Sequence, residues 1–181
     1  MMKLLNPVTQ QQLSKDSAAV FTQTKQALGF VPNLYRYIAL SDDIFKQFSQ
    51  MNNAFANSSF SALERELIQL TTSKVNQCNY CLAGHVYFSK QQNLNPDLIK
   101  SILSTDKLED RKLDALNCLC RALVKERGSI SEELISNFLE QGYNQAQFIE
   151  LIMGICLKTF TNLLSKSAEI DIDQEFLYQF H

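Results

Sequence analysis

The sequence predicts an all-α protein, and three observations carry that prediction. Apolar residues recur at helical spacing along most of the chain, and almost nowhere do they alternate with period two. Only 5 glycines and 3 prolines punctuate 181 residues, which favours long regular elements joined by short turns. Capping signatures stand ahead of several apolar runs.

The elements follow in order. Thr9 to Leu28, with Leu13, Ala18, Val20 and Phe21, reads as a first helix that Gly29 is placed to end. Pro32 opens a short helix through Tyr35 and Ile38. Ser41 is placed to cap the next, with Ile44, Phe45, Phe48, Met51 and Phe55 on one apolar stripe. Ser61-Ala62-Leu63-Glu64 is a capping-box pattern, and the helix behind it should run to about Asn76. Another begins at or near Cys78. Pro96 starts a short helix to Leu103. Leu113, Leu116, Cys120, Leu123 and Val124 mark a helix within 108–126, closed by Gly128. Ser129 and Glu132 start one that closes near Gly142. Asn144 is placed to cap the longest apolar helix, from about Gln145 to Lys166. The tail after Ile170 alternates acidic and aromatic residues and is expected to be extended. Glu66-Leu67-Ile68 and Glu150-Leu151-Ile152 each lie twelve residues before Cys78 and Asn162, a weak internal helical repeat.

Length and composition suit a single domain over 1–181 with a sizeable core. The formal net charge is -2 and no segment concentrates positive charge, which argues against a nucleic-acid partner. No run approaches the roughly 18 uninterrupted apolar residues of a membrane span. The opening Met1-Met2-Lys3-Leu4-Leu5 lacks a long apolar region and a cleavage site, so no signal peptide is expected. A cytoplasmic setting, where thiols stay reduced, is the expectation.

The five cysteines are Cys78, Cys81, Cys118, Cys120 and Cys156, an odd count that suits a disulfide scaffold poorly. Cys118, Cys120 and Cys156 read as small buried apolar side chains. Cys78 and Cys81 are i and i+3, and Cys81 and His85 are i and i+4, so on a helix all three share a face. A C-x-x-C pair at a helix start can close a disulfide within one turn. The helix N-terminus favours thiolate over thiol, whose ordinary pKa is about 8.5. A base one turn away can take the proton, and His85 stands there. Apart from His181 it is the only histidine. Glu64 serves the cap, which leaves Glu66 free either as an exposed carboxylate or as part of the site. Two other uses of the cluster stay open: a redox-sensing module without turnover, and a metal site, although the chain offers no second C-x-x-C to complete four ligands.

The run E-L-I-Q-L-T-T-S-K-V-N-Q-C-N-Y-C-L-A-G-H, from Glu66 to His85, strongly resembles the alkylhydroperoxidase AhpD-like branch of the carboxymuconolactone decarboxylase superfamily. That branch carries a glutamate twelve residues before C-x-x-C-x-x-x-H, and Glu66, Cys78, Cys81 and His85 stand at the matching places. The core redox motif spans 64–90. Val31-Pro32-Asn33-Leu34, Thr161-Asn162 and Ile170-Asp171-Ile172-Asp173 resemble flanking elements of peroxidase-related members, so the likeness reaches over about 28–175. The resemblance implies an AhpD-like helical fold, a homo-oligomer such as a trimer or hexamer, and no bound cofactor. It implies a hydroperoxide substrate and a dithiol reductant of thioredoxin-like or lipoyl type, in antioxidant defence. It implies that Cys81 attacks the peroxide, that Cys78 resolves the sulfenic acid as a Cys78–Cys81 disulfide, and that Glu66 and His85 relay protons. The founding pattern has a histidine before the second cysteine. Tyr80 stands there instead, a poorer base near neutrality that could still hold a relay water. Lactone decarboxylation is not carried over, because that branch typically lacks the cysteine pair.

Overall fold

A computed structural model describes residues 5–104 and 107–177. Every regular element among them is helical. In order these are α1 (Lys15–Leu28), α2 (Asn33–Ile38), α3 (Asp42–Ala56), α4 (Ala62–Val75), α5 (Asn79–Gln91), α6 (Pro96–Ser104), α7 (Arg111–Lys125), α8 (Glu132–Glu140), α9 (Gln145–Ser167) and α10 (Gln174–Leu177).

Several boundaries have a chemical cause. Asp110 and Asn144 cap α7 and α9 through side-chain oxygens that accept from the backbone N–H three residues on. The capping box at Ser61 is complete: Glu64 N–H donates to Ser61 Oγ, and Glu64 Oε2 accepts from Ser61 N–H at 2.8 Å. The first expected helix begins later than the pattern suggests. Residues 10–12 form a separate 3-10 turn, and Ser14 caps α1 while its hydroxyl also donates to Asp42. On α3 the expected stripe is only partly inward: Phe45, Phe48 and Phe55 are buried, while Ile44 and Met51 face out. From Ile170 to Asp173 the tail has no regular structure, and it then turns into α10. His181 lies outside the described residues.

α4 is the hub, with α5, α6, α7 and α9 all packed against it. Its apolar Leu67, Ile68 and Leu70 are fully covered, and so are Thr72 and Ser73. A helix surrounded on most sides must satisfy its own polar groups. Thr72 Oγ1 donates back to the Ile68 carbonyl, and Thr71 Oγ1 donates to Asn117 on α7.

By length and composition α9 would be long and apolar enough to cross a membrane. In the fold it packs against α3, α4, α5 and α7, and it buries Gln147, Lys158, Thr161, Asn162 and Ser165 there. It runs unbroken, where the corresponding stretch of the first half is two helices with a turn between them. The repeat therefore does not extend to the break that carries the cysteines.

Candidate active site

The turn between α4 and α5 sets the cysteines in place. Gln77 adopts a left-handed φ of 53°. Its N–H donates to the Lys74 carbonyl, and the Cys78 N–H reaches back to Ser73 at 2.9 Å. This paired pattern closes α4 and delivers Cys78 as the N-cap of α5, where its sulfur accepts from the Cys81 N–H at 3.4 Å. Asn76 donates to Asn162 Oδ1 at 2.9 Å, and Asn162 donates to Ser73 Oγ at 3.2 Å. The turn is thus pinned to α9.

Both sulfurs are buried, at 0% exposure for Cys78 and 3% for Cys81, and both are free thiols. One face of α9 meets them. Ser165 Oγ lies 3.0 Å from Cys78 Sγ and 3.8 Å from Cys81 Sγ, and Thr161 Oγ1 lies 3.8 Å from Cys81 Sγ. The two thiols are also hydrogen-bonded to each other, with unequal results. That bond, the Lys158 and His85 charges and Ser165 together outweigh burial and hold the Cys81 thiol well below its ordinary range. The same bond, with burial, pushes Cys78 up. Cys81 is thus the more acidic thiol of the pair. This is the order the family resemblance implies. It differs from the simple helix-dipole expectation, which favours the N-cap Cys78, because the bond to Cys81 and burial outweigh the Cys81 N–H that donates to the Cys78 sulfur.

His85 follows one turn later. Its Nδ1 is 2.7 Å from Glu66 Oε2, and Gln92 Nε2 donates to Glu66 Oε1 at 3.0 Å. Glu66 is 8% exposed, so it is not a carboxylate in bulk water. A carboxylate only accepts. Nδ1 therefore carries the proton, and Nε2 is left as the basic nitrogen.

Tyr80 belongs to a different network from the relay expected of it. Its hydroxyl donates to Asp173 Oδ2 at 2.6 Å and accepts from the Leu34 N–H at 3.1 Å. Asp173 also accepts from the Asn33 N–H at 2.9 Å. Burial, the Asp173 charge and the bond to it push the Tyr80 phenol far up, so it stays protonated. The phenol ties α2, α5 and the tail together. That tie seats Phe176 edge-on against Tyr80 and Phe88, with its ring directly over Gly84.

These elements enclose a cavity of about 440 Å³. Cys81, His85, Glu66 and Lys158 are among its polar lining, and Phe48, Phe55, Phe88 and Phe176 among its apolar wall. Sequence reading missed Lys158, Ser165 and Asp173. Thr161-Asn162 and the Asp173 tail had been noticed as flanking likenesses, but only folding brings them to the thiols. Cys156 is exposed on the outer side of α9, contrary to the expectation that it is buried, and Cys118 is half-buried. Cys120 is buried, and burial raises its thiol to about 12. Among the described residues no group of three or more His, Cys, Asp or Glu side chains could hold a metal ion.

The fold and site define a class, a helical dithiol protein with a carboxylate-backed histidine. The carboxymuconolactone decarboxylase family model matches residues 42–106, the stretch that contains the whole motif. The chain is similar to that family over this stretch, and its all-helical fold is the AhpD-like one. A crystal structure of an alkylhydroperoxidase AhpD core, an uncharacterised peroxidase-related protein from Ralstonia eutropha JMP134, is similar with TM-score 0.85 and 20% identity, covering 95% of this chain and 93% of that one. An uncharacterised peroxidase-related protein from Silicibacter sp. TM1040 gives TM-score 0.84 and 22% identity over 98% and 94%. A cysteine-to-alanine variant of the debrominase Bmp8, bound to 2,3,4-tribromopyrrole, gives TM-score 0.85 and 16% identity over 99% and 97%. Comparison with curated proteins finds no match.

Proposed function

We propose that the protein is a thiol-dependent peroxidase that reduces organic hydroperoxides through Cys81 and Cys78. The observation that carries this reading is the asymmetry of the pair. Cys81 is an acidified thiol facing an apolar cavity, and Cys78 is a protonated thiol bonded to it from behind.

His85 Nε2 takes the Cys81 proton, and Glu66 holds the ring in that tautomer. The thiolate attacks the terminal peroxide oxygen. An S–O bond forms, the O–O bond breaks, and the departing alkoxide recovers the proton from the imidazolium. Cys81 is now a sulfenic acid. Cys78 attacks its sulfur, the S–O bond breaks, and hydroxide leaves with the Cys78 proton as water. A dithiol donor of thioredoxin-like or lipoyl type reduces the disulfide and is itself oxidised. The active form is a homo-oligomer, a trimer or hexamer, in a reducing compartment.

The test is hydroperoxide consumption by the purified protein with a dithiol donor, together with mass mapping after one equivalent of peroxide. Cys81→Ser is expected to abolish turnover, and the mapped link to join Cys78 and Cys81. Unchanged turnover in Cys81→Ser, or a link through another cysteine, would overturn the scheme.

A second reading keeps the thiolate and changes the electrophile. The aromatic wall of the cavity and the fold shared with a debrominase favour it. Cys81 would take a halogen from an aromatic ring, the ring carbon would gain a proton, and Cys78 would displace halide to form the same disulfide. Halide release from a halogenated pyrrole, exceeding peroxide turnover under equal donor, would select this reading over the first.

A further inference from the structure

Lys158 is a charged residue inside the core. It is 7% exposed, lines the Cys81 cavity, and sits on the α9 face that continues through Thr161 to Ser165. Its own carbonyl accepts from Thr161 Oγ1, which sets that hydroxyl beside Cys81. Among the described residues no carboxylate pairs with its ammonium. Glu66, the acid on the cavity wall, is already held by His85 and Gln92. Arg65, the other cation on that wall, is bonded to the Phe60 carbonyl. A buried ammonium without a counter-ion is costly, so its place needs an anion that the cavity itself supplies.

We propose that Lys158 is the counter-ion of Cys81, the residue that holds the attacking sulfur as a thiolate and gives the cavity its charge balance. Of the groups that act on Cys81, only Lys158 and His85 bring positive charge. His85 shares its ring proton with Glu66, Cys78 and Ser165 are neutral donors, and the Tyr80 phenol is committed to Asp173. The Lys158 charge acts on Cys81 more strongly than that of His85. Lys158 thus acts through Cys81. Disulfide formation removes the thiolate and leaves the ammonium unpaired, so this residue also makes the Cys78–Cys81 disulfide easier to reduce than an uncharged pocket would. The inference rests on Cys81 being a reactive thiolate and does not require that its oxidant be a peroxide.

The test reads the thiol itself. The rate at which neutral iodoacetamide alkylates Cys81, followed by peptide mass across pH, is compared in the full-length protein, Lys158→Met and Lys158→Arg. Lys158→Met is expected to move the midpoint upward and slow alkylation about tenfold below both midpoints, the effect of one pKa unit. Lys158→Arg is expected to restore the wild-type profile. An unchanged profile in Lys158→Met overturns the proposal, whatever peroxide assays give. Absence of peroxide turnover in the wild-type protein, with the pH shift still seen in Lys158→Met, would instead count against the peroxidase reading alone. If Lys158→Met does not fold, Lys158→Gln is read in the same assay. Thermal unfolding gives a second readout. Removing the ammonium should raise the melting temperature in a Cys81→Ser background, where it has lost its partner, relative to its effect in wild type. Equal effects in the two backgrounds would also overturn the assignment.

Discussion

At Cys81 a neighbouring thiol, a buried lysine and a histidine one turn away act on one sulfur, and each can be removed singly. The bond from Cys78 is the strongest influence that lowers the Cys81 thiol. Cys78→Ala is therefore expected to raise the pH midpoint of Cys81 alkylation, and Cys78→Ser, which keeps an O–H donor, to raise it less. Ultraviolet thiolate absorbance checks both; in wild type it should persist well below the ordinary thiol midpoint of about 8.5. Tyr80 makes the opposite case. Its hydroxyl is structural, so Tyr80→Phe leaves a buried carboxylate, Asp173, short of a donor. The expected cost is about 1–3 kcal/mol in denaturant unfolding, with little change in the alkylation profile. The cysteines and His85 were readable from spacing alone, because i, i+3 and i+4 positions share a helix face whatever the fold, whereas Glu66, on α4, was singled out only by the family resemblance. Lys158 was not readable. Within an apolar helix its position is that of any lysine until α5 packs against it.

Among the helices, close approach and chain reversal decide what a substitution costs. Where α9 crosses α3, a Cβ on Gly154 would stand 2.5 Å from the Phe55 ring. Gly154→Ala is expected to destabilise by about 1–3 kcal/mol through overpacking, measured by denaturant titration. Gln77 pays the strain of a left-handed residue to close α4. Gln77→Gly is expected to stabilise the fold by about 1 kcal/mol or less, and a loss of stability would mean that its side chain does more than turn the chain. The start of α4 carries a pH dependence. Burial raises the Glu64 carboxyl, but bonds from Ser61 and Tyr143 and the Lys112 charge outweigh it and hold the value low. A depressed carboxylate stabilises the fold above its unfolded pKa, about 4.3, and that contribution is lost as pH falls through the folded value. The stability gap between wild type and Glu64→Gln should therefore be largest near neutrality and shrink in acid. Caps and glycine stops were legible here: Ser61, Asn144, Gly29 and Gly142 all act as the pattern suggests. The left-handed Gln77, Asn93 and Glu169 were not, since nothing in a glutamine or glutamate announces that tertiary contacts will hold it there.

Over the whole molecule, the outer face of α9 is left apolar. Ile149, Ile152, Phe160 and Leu163 are exposed along it, and Cys156 stands between them. A stripe of this length on the longest helix suits burial against another copy. Leu163→Glu, at a side chain 66% exposed in the single chain, is expected to reduce the particle size in light scattering while the helical circular dichroism stays unchanged. An unaltered size would place the subunit contact elsewhere. By itself the sequence determined that the chain is helical, where most helices begin, and that two sulfurs and an imidazole stand within two turns of one another. Those depend on periodicity, on caps and on spacing within one or two turns, all of which are local. Only the tertiary structure decided which thiol is the more acidic, that Tyr80 ties the tail together with α2 and α5, that Lys158 lines the Cys81 cavity, and that Cys156 faces outward. Each of these depends on how helices pack and on what that packing buries, and a linear pattern does not record which faces meet.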